Sequence, residues 1–572
     1  MDRITKSLLD EFSREHGIAK LSEDKQFEHF ACYLTLQRHH SETFDTMDVV
    51  TGSGGDTGID GIAVIINGSL VTDVEVVGEL AERNGYLDVS FLFVQAERTP
   101  AFDTAKIGQF SYGVGDFFKD PPTLPRNAAV KDATEIMAAI YERGPKFKRG
   151  NPVCRLYYVT TGKWTGDSQL DARRATAVSD LKALRLFREV EFVPVDADGI
   201  QRLYNQAKNA ISREFMFSER TVIPEAPGVT EAYLGLIPVP EFISILKDEN
   251  GEITKSLFYD NVRDFQDYNP VNAEIRQTLE SETQKRQFAL MNNGITIIAK
   301  TLRTTGNKFY IEDFQIVNGC QTSHVLFDQR ESLDATVTVP LRLIATRDER
   351  VTASIIRATN RQTELKEEHF LALADFGKKL ELFFQSFAEG KQLFYERRSR
   401  QYNSLEGVEK TRIVTPGNLI RAYAAMFLEE PHRTTRNYAA LLEGVGKDIF
   451  APDQRLEPYY VAAFALYRLE YFFRNQSLDA KYKPARFHIL LASRLLADSS
   501  NLPRPNSHEM QRYCDKIVES FWDVQKAEAL FDKAAATVDA VAKGNFHRDF
   551  IRTQPFTEAL KQQCGPTTAR KR

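Results

Sequence analysis

The chain has 572 residues, 27% of them charged and 42% apolar, with a formal net charge of -5 and a pI near 6.2. That length exceeds one ordinary core and predicts two to four domains. The slight acidity excludes a global electrostatic pull toward nucleic acid, so any such contact must come from a local basic patch.

The 39 Phe and 21 Tyr supply aromatic material for cores and argue against long disorder. Cys32, Cys154, Cys320, Cys514 and Cys564 are dispersed without C-x-x-C spacing, the pattern of reduced thiols rather than a disulfide framework or a zinc site. Residues 1–7 lack the apolar core of a signal peptide, and no run of about 18 apolar residues occurs. A cytoplasmic location without membrane contact is expected.

Apolar positions at helical spacing predict helices over 3–17 (Leu8, Leu9, Phe12) and 23–39 (Phe27, Phe30, Tyr33, Leu34). A Gly-rich turn at 52–58 leads into a β-branched run at 59–66. Asn67-Gly68 then signals a hairpin to a second strand at 70–77. Residues 88–95 alternate and end as a strand, and 104–118 reads as a helix. A buried strand at 156–161, a helix at 169–185, a strand at 189–195 and a helix at 197–213 follow. Strands alternating with helices after a short meander predict an α/β domain over 1–215.

Pro224, Pro227 and Gly228 mark a change of pattern. The region 216–363 reads as mixed α+β and strand-rich, with apolar or alternating runs at 236–245, 295–299, 309–317 and 336–345. From 364 to 572 the chain reads as mainly helical, with stretches at 370–388, 417–428, 458–473, 487–497 and 511–541. No fixed-period repeat or low-complexity segment is present.

Asp60 opens the 59–66 strand beside a Gly-rich turn, and Gln95 and Glu97, two apart on the second strand, share one face. That face could bring the Asp60 carboxylate, the Gln95 side chain and the Glu97 carboxylate to one cation, with Glu28 from the preceding helix as a further acidic ligand. Hard oxygen ligands suit Mg²⁺, with Mn²⁺ as the alternative. Such a site can hydrolyse phosphodiesters if a cationic side chain stands nearby. Lys106 on the following helix is one candidate. Arg98 is another, although a regular strand turns it to the opposite face, and it stays protonated and can only clamp phosphate. The plainer alternative is an ordinary α/β domain in which Asp56 or Asp60 caps a turn.

Residues 55–64 (GDTGIDGIAV) followed by 91–98 (FLFVQAER) resemble the PD-(D/E)XK nuclease superfamily, in particular its restriction-endonuclease-like branch, where Gln can replace the second acid. The family triplet would read Gln-x-Lys, whereas Gln95-Ala96-Glu97 stands here. The resemblance implies a restriction-endonuclease-like fold and Mg²⁺-dependent cleavage of DNA or RNA. Glu97 in the lysine position leaves two readings: an active nuclease with charge from Lys106 or Arg98, or an inactive nuclease fold that binds nucleic acid or serves as a sensor or scaffold.

Residues 288–299 (FALMNNGITIIA) precede 314–323 (FQIVNGCQTS), pairing two Asn-Gly turns with apolar strands. Locally these are tight turns, and Gln321-Thr322-Ser323 could bind phosphate or order a helix N-terminus. The pair resembles the signature of the abortive infection phage resistance (AIPR) family, with further pieces at 257–265, 358–363 and 393–398, covering roughly 230–540. That resemblance implies a prokaryotic antiphage defence protein, often encoded beside ATPases or other defence components as partners. Asn318, Gln321, Thr322, Arg361, Arg397 and Arg398 are the candidate nucleic-acid contacts. Residues 391–412 mix six Lys/Arg with Phe394, Tyr395 and Tyr402, a composition able to grip phosphates and stack bases. Interleaved Glu396, Glu406 and Glu409 make a salt-bridged scaffold the competing expectation.

Gly444-Val445-Gly446-Lys447-Asp448 lacks the spacing and hydroxyl of a P-loop. His39-His40 reads as a surface pair and Cys320 as a buried thiol. Homo-oligomerisation through 458–473 or 511–541 is open, as are the trigger and the choice between DNA and RNA.

Overall fold

Two large sheets, a two-stranded one and a helical bundle organise the computed structural model. It describes residues 1–565 except 41, 53, 209–210, 249–250, 252, 259–269, 360–366, 398–400, 403–407 and 437. The first sheet contains β1 (Gly61–Ile66), β2 (Ser69–Val71), β3 (Val89–Glu97), β4 (Val153–Thr160) and β5 (Glu189–Val195) in the order β2-β1-β3-β4-β5. β1 runs antiparallel to β2 and β3, pairing Gly61 with Val94, while β3, β4 and β5 are parallel. Seven helices accompany it: α1 (Arg3–Glu15), α2 (Glu23–Leu36), α3 (Val74–Asn84), α4 (Thr104–Phe117), α5 (Ala128–Tyr141), α6 (Ser168–Ala183) and α7 (Ala197–Lys208).

Helices cover both faces, which is why β1 and β4 are buried along their whole length instead of alternating. Phe12, Phe27, Phe30 and Tyr204 of α1, α2 and α7 pack with Leu92 and Val94 on one face. Ile107, Phe110, Val114 and Leu181 of α4 and α6 pack with Phe91 and Phe93 on the other. The strand expected over 70–77 stops at Val71. Asp73 accepts from the backbone N–H of Glu75, and left-handed Gly85 ends α3, so capping at both ends outweighs the β-branched composition of 74–77. α5 was not anticipated, and the helix expected over 197–213 ends at Lys208.

The second sheet comprises β6 (Ser212–Met216), β7 (Glu219–Val222), β8 (Glu231–Pro238), β9 (Ile295–Thr305), β10 (Lys308–Asn318) and β11 (Thr338–Ala345), ordered β6-β10-β9-β11-β8-β7. Only the β9–β11 pairing is parallel. The apolar run 236–245 is divided: β8 ends at Pro238 and α8 (Val239–Leu246) begins. Pro240 lacks a ladder donor but suits a helical first turn.

The C-terminal region is helical, as its composition predicts. Helices Pro416–Phe427, Glu457–Arg474, Arg486–Ala497, His508–Trp522 and Val524–Ala542 enclose Tyr423, Tyr459, Phe464 and Phe531. The Tyr423 and Tyr459 rings stack at 4.1 Å. The stretch 511–541 is two helices, because the Asp523 side chain accepts from Lys526 N and starts the second. Among the described residues no helix is long and apolar enough to cross a membrane.

Candidate active site at the end of the central strand

An ideal Cβ on Gly61 would lie 2.3 Å from Cys32 Sγ, so only glycine lets α2 close onto the start of β1. Glu28 precedes Cys32 by one helical turn, and its charge is felt at Asp60. The Asp60 N–H donates to Val94 O at 2.9 Å. Its carboxylate accepts from Ala96 N at 2.8 Å, which sets it at the backbone between Gln95 and Glu97. Burial pushes the Asp60 carboxyl up to about 7, and the charges of Glu28 and Asp56 add to the rise. The Ala96 hydrogen bond and Lys25 oppose it. Burial also raises Glu28, although Lys25 Nζ stands 2.7 Å away.

Gln95 Nε2 donates to Glu97 Oε1 at 3.4 Å, whereas the buried Gln95 Oε1 has no hydrogen-bond donor among the described residues. Glu97 Oε2 lies 2.7 Å from Nζ of Lys106, in the first turn of α4. Asp103 accepts from Ala105 N and Lys106 N at 2.7 and 3.2 Å and so fixes that turn. Tyr158, the register partner of Gln95 on β4, has its phenol raised by burial, then by Glu97, Asp103 and Asp60.

The Gly-rich loop is docked rather than loose. The N–H of Asn127 donates to Gly55 O at 2.8 Å, and its side-chain amide donates to Thr51 O at 2.9 Å. Gly113 of α4 touches Thr57, and a Cβ there would meet Thr57 O at 2.0 Å. Gly113→Ala is therefore expected to push the loop off α4 and lower unfolding free energy by about 1–3 kcal/mol. Denaturant melts of the full chain measure this; a wild-type midpoint would contradict the docked loop.

The structure thus gathers Asp60, Gln95, Glu97 and Lys106 at the end of β3, with Glu28 alongside. Arg98 turns to the opposite face, where Glu23 Oε1 lies 2.6 Å from its Nη1 and Asp24 holds its Nε. Lys25 and the Ala96 N–H were missed from the sequence; Lys25 could have been found from its i,i+3 spacing to Glu28. No group of three or more His, Cys, Asp or Glu side chains able to hold a metal occurs among the described residues. A cation here would have to use the Asp60 and Glu97 carboxylates, the Gln95 amide oxygen and water. Mg²⁺ tolerates such a set because it keeps several waters, and the donor-free Gln95 oxygen is the feature that fits it.

The second candidate set is internally bonded. Asn318 accepts from Gly319 N at 2.9 Å, Gln321 from Asn272 at 2.6 Å, and Thr322 Oγ1 from Asn292 at 3.1 Å. Left-handed Gly319 starts the helix Cys320–Asp328. The QTS segment forms the first turn of that helix, whose start carries no side-chain cap. Arg397 pairs with Glu381 at 2.5 Å, a salt bridge of the scaffolding kind expected. Arg361 and Arg398 lie outside the described residues. His39-His40 is not a surface pair: His40 is 5% exposed and binds Gly68 O, while His39 contacts the Tyr157 hydroxyl.

A family model described as AIPR protein matches residues 258–545, just over half of the chain, leaving the first sheet outside the match. No curated protein and no solved structure matches.

Proposed function

The chain belongs to the AIPR family, and from that premise we propose that it is an antiphage defence protein whose N-terminal domain is a metal-dependent phosphodiesterase of the restriction-endonuclease-like type. The observation that carries this is the end of β3. There a carboxylate of raised pKa, a buried amide oxygen lacking a donor and a second carboxylate beside a lysine converge. Asp60, Gln95 and Glu97 would hold Mg²⁺ or Mn²⁺, and Glu28 would add negative charge from α2. The chemistry such a cation supplies when bound is activation of a water and neutralisation of charge developing on the phosphate. Lys106 would bind the scissile phosphate and lend positive charge to the transition state. DNA or RNA is the substrate, and activity gated by other defence proteins fits a cell that must not cut its own nucleic acid.

A non-cleaving recognition or scaffold role is the second reading, favoured by Glu97, which stands where the nuclease pattern has lysine and already pairs with Lys106. Incubating the purified chain with DNA and RNA, with and without Mg²⁺ or Mn²⁺, separates the two. Metal-dependent cleavage lost in Asp60→Ala establishes the enzyme. Retained nucleic-acid binding without cleavage at any metal concentration selects the scaffold.

A further inference from the structure

Residues 45–51 are held at both ends. The helical region grips the first end: Arg474, the last residue of Glu457–Arg474 and 3% exposed, lies 2.7 Å from Asp45. Lys483 Nζ donates to Met47 O at 2.8 Å and stands 3.4 Å from Asp48, which Arg486 also approaches at 3.6 Å. The first sheet grips the other end. Ile62 N donates to Val49 O at 2.9 Å, Thr51 N donates to Asp60 O at 3.0 Å, and Val50 bridges Gly61. Midway, Thr46 Oγ1 lies 2.8 Å from Nδ1 of His29, the residue after Glu28. Among the described residues the helical region meets this strap through Arg474, Lys483 and Arg486, and the charges on the strap are Asp45 and Asp48.

We propose that the C-terminal helical region controls the geometry of the candidate site through this strap. Arg474 and Lys483 act as positioning residues that hold 45–48, and through Val49–Thr51 and His29 they fix Asp60 and Glu28 against the end of β3. Without Arg474, Asp45 would keep a largely buried charge with its counter-ion gone, a strongly unfavourable state that the strap relieves by moving. The helical region would stay docked meanwhile, because Arg552 pairs with Asp73 and Glu75 of α3 and its flank, and Arg548 pairs with Glu135 of α5. Loosening is therefore local. A partner that pulls on the helix end at Arg474 would alter the site without touching it, the coupling a gated defence protein needs. The chemistry of the site rests on the proposed function; the strap does not.

Amide hydrogen exchange on the full chain tests it. Arg474→Ala is expected to speed exchange over 46–51 and 60–62 by about 100-fold, with β4 unchanged and Arg474→Lys close to native. Unchanged exchange at 60–62 in Arg474→Ala overturns the strap. If that variant does not fold, Lys483→Ala decides instead, since its side chain is 21% exposed: faster exchange in the same two segments supports the coupling, and native exchange overturns it. Mn²⁺-induced thermal stabilisation, read on the same proteins, should weaken in Arg474→Ala and survive in Arg474→Lys. Should the native chain take up no Mn²⁺, the nuclease reading falls while the exchange result still decides the strap.

Discussion

Asp60→Asn is expected to abolish metal-dependent cleavage and, at pH 8, to make the folded chain more stable. An ordinary Asp ionises near 3.8, and burial with Glu28 and Asp56 moves Asp60 to about 7 in the fold. The folded state thus holds a proton that the unfolded chain has released. Its contribution is fully present below about pH 4 and falls as pH rises toward 7. The rise from 3.8 to about 7 corresponds to at most about 4 kcal/mol, and about 2–4 kcal/mol is the expected gain from a neutral isostere that still accepts from Ala96 N. A divalent cation acts in the opposite sense, favouring the ionised carboxylate. Mg²⁺ or Mn²⁺ should raise the melting temperature of the native chain more at pH 8 than at pH 6, where it must first displace the proton. Calorimetry of both proteins at the two pH values checks this. A less stable Asp60→Asn at pH 8, or a metal response in that variant equal to the native one, would sink the assignment of Asp60.

The shared face of Gln95 and Glu97 was legible because a strand alternates with period two whatever surrounds it. Lys106 was legible as a nearby helical cation, and Arg98 as a residue turned away. What escaped depended on local chemistry or long separation. Val74-Glu75-Val76-Val77 has strand composition, and only the cap at Asp73 and the stop at Gly85 mark it as helix. The Ala96 N–H that holds Asp60 has no side-chain signature. Arg397 pairs with Glu381, brought close by a helix and a short strand. Asp45 and Arg474 are 429 residues apart, and no local rule pairs them. Helix, strand and face are thus local properties, whereas the contacts that couple the helical region to the first sheet are not.

Lys106→Met is expected to lower cleavage by about 100- to 1,000-fold, the usual effect of removing one positioned charge donor from a transition state. Its effect on stability should be small. Lys106 is 43% exposed and its bridge to Glu97 is a partly exposed one, a class worth about 0–1 kcal/mol. A collapse of activity with an unchanged melting temperature therefore marks a chemical role, while equal losses in both mark a structural one. The double exchange Glu97→Lys with Lys106→Glu keeps the ion pair and moves the lysine to the position the nuclease pattern gives it. If the pair is the working cation and acid of the site, the exchanged protein should cut with the same metal dependence as the native chain, because strand end and helix start present both charges to one place. If the native chain is silent and the exchanged one cuts, β3 is a nuclease scaffold whose chemistry was withheld by the position of a single charge. Silence in both, with nucleic acid still bound, leaves recognition as the role of the domain.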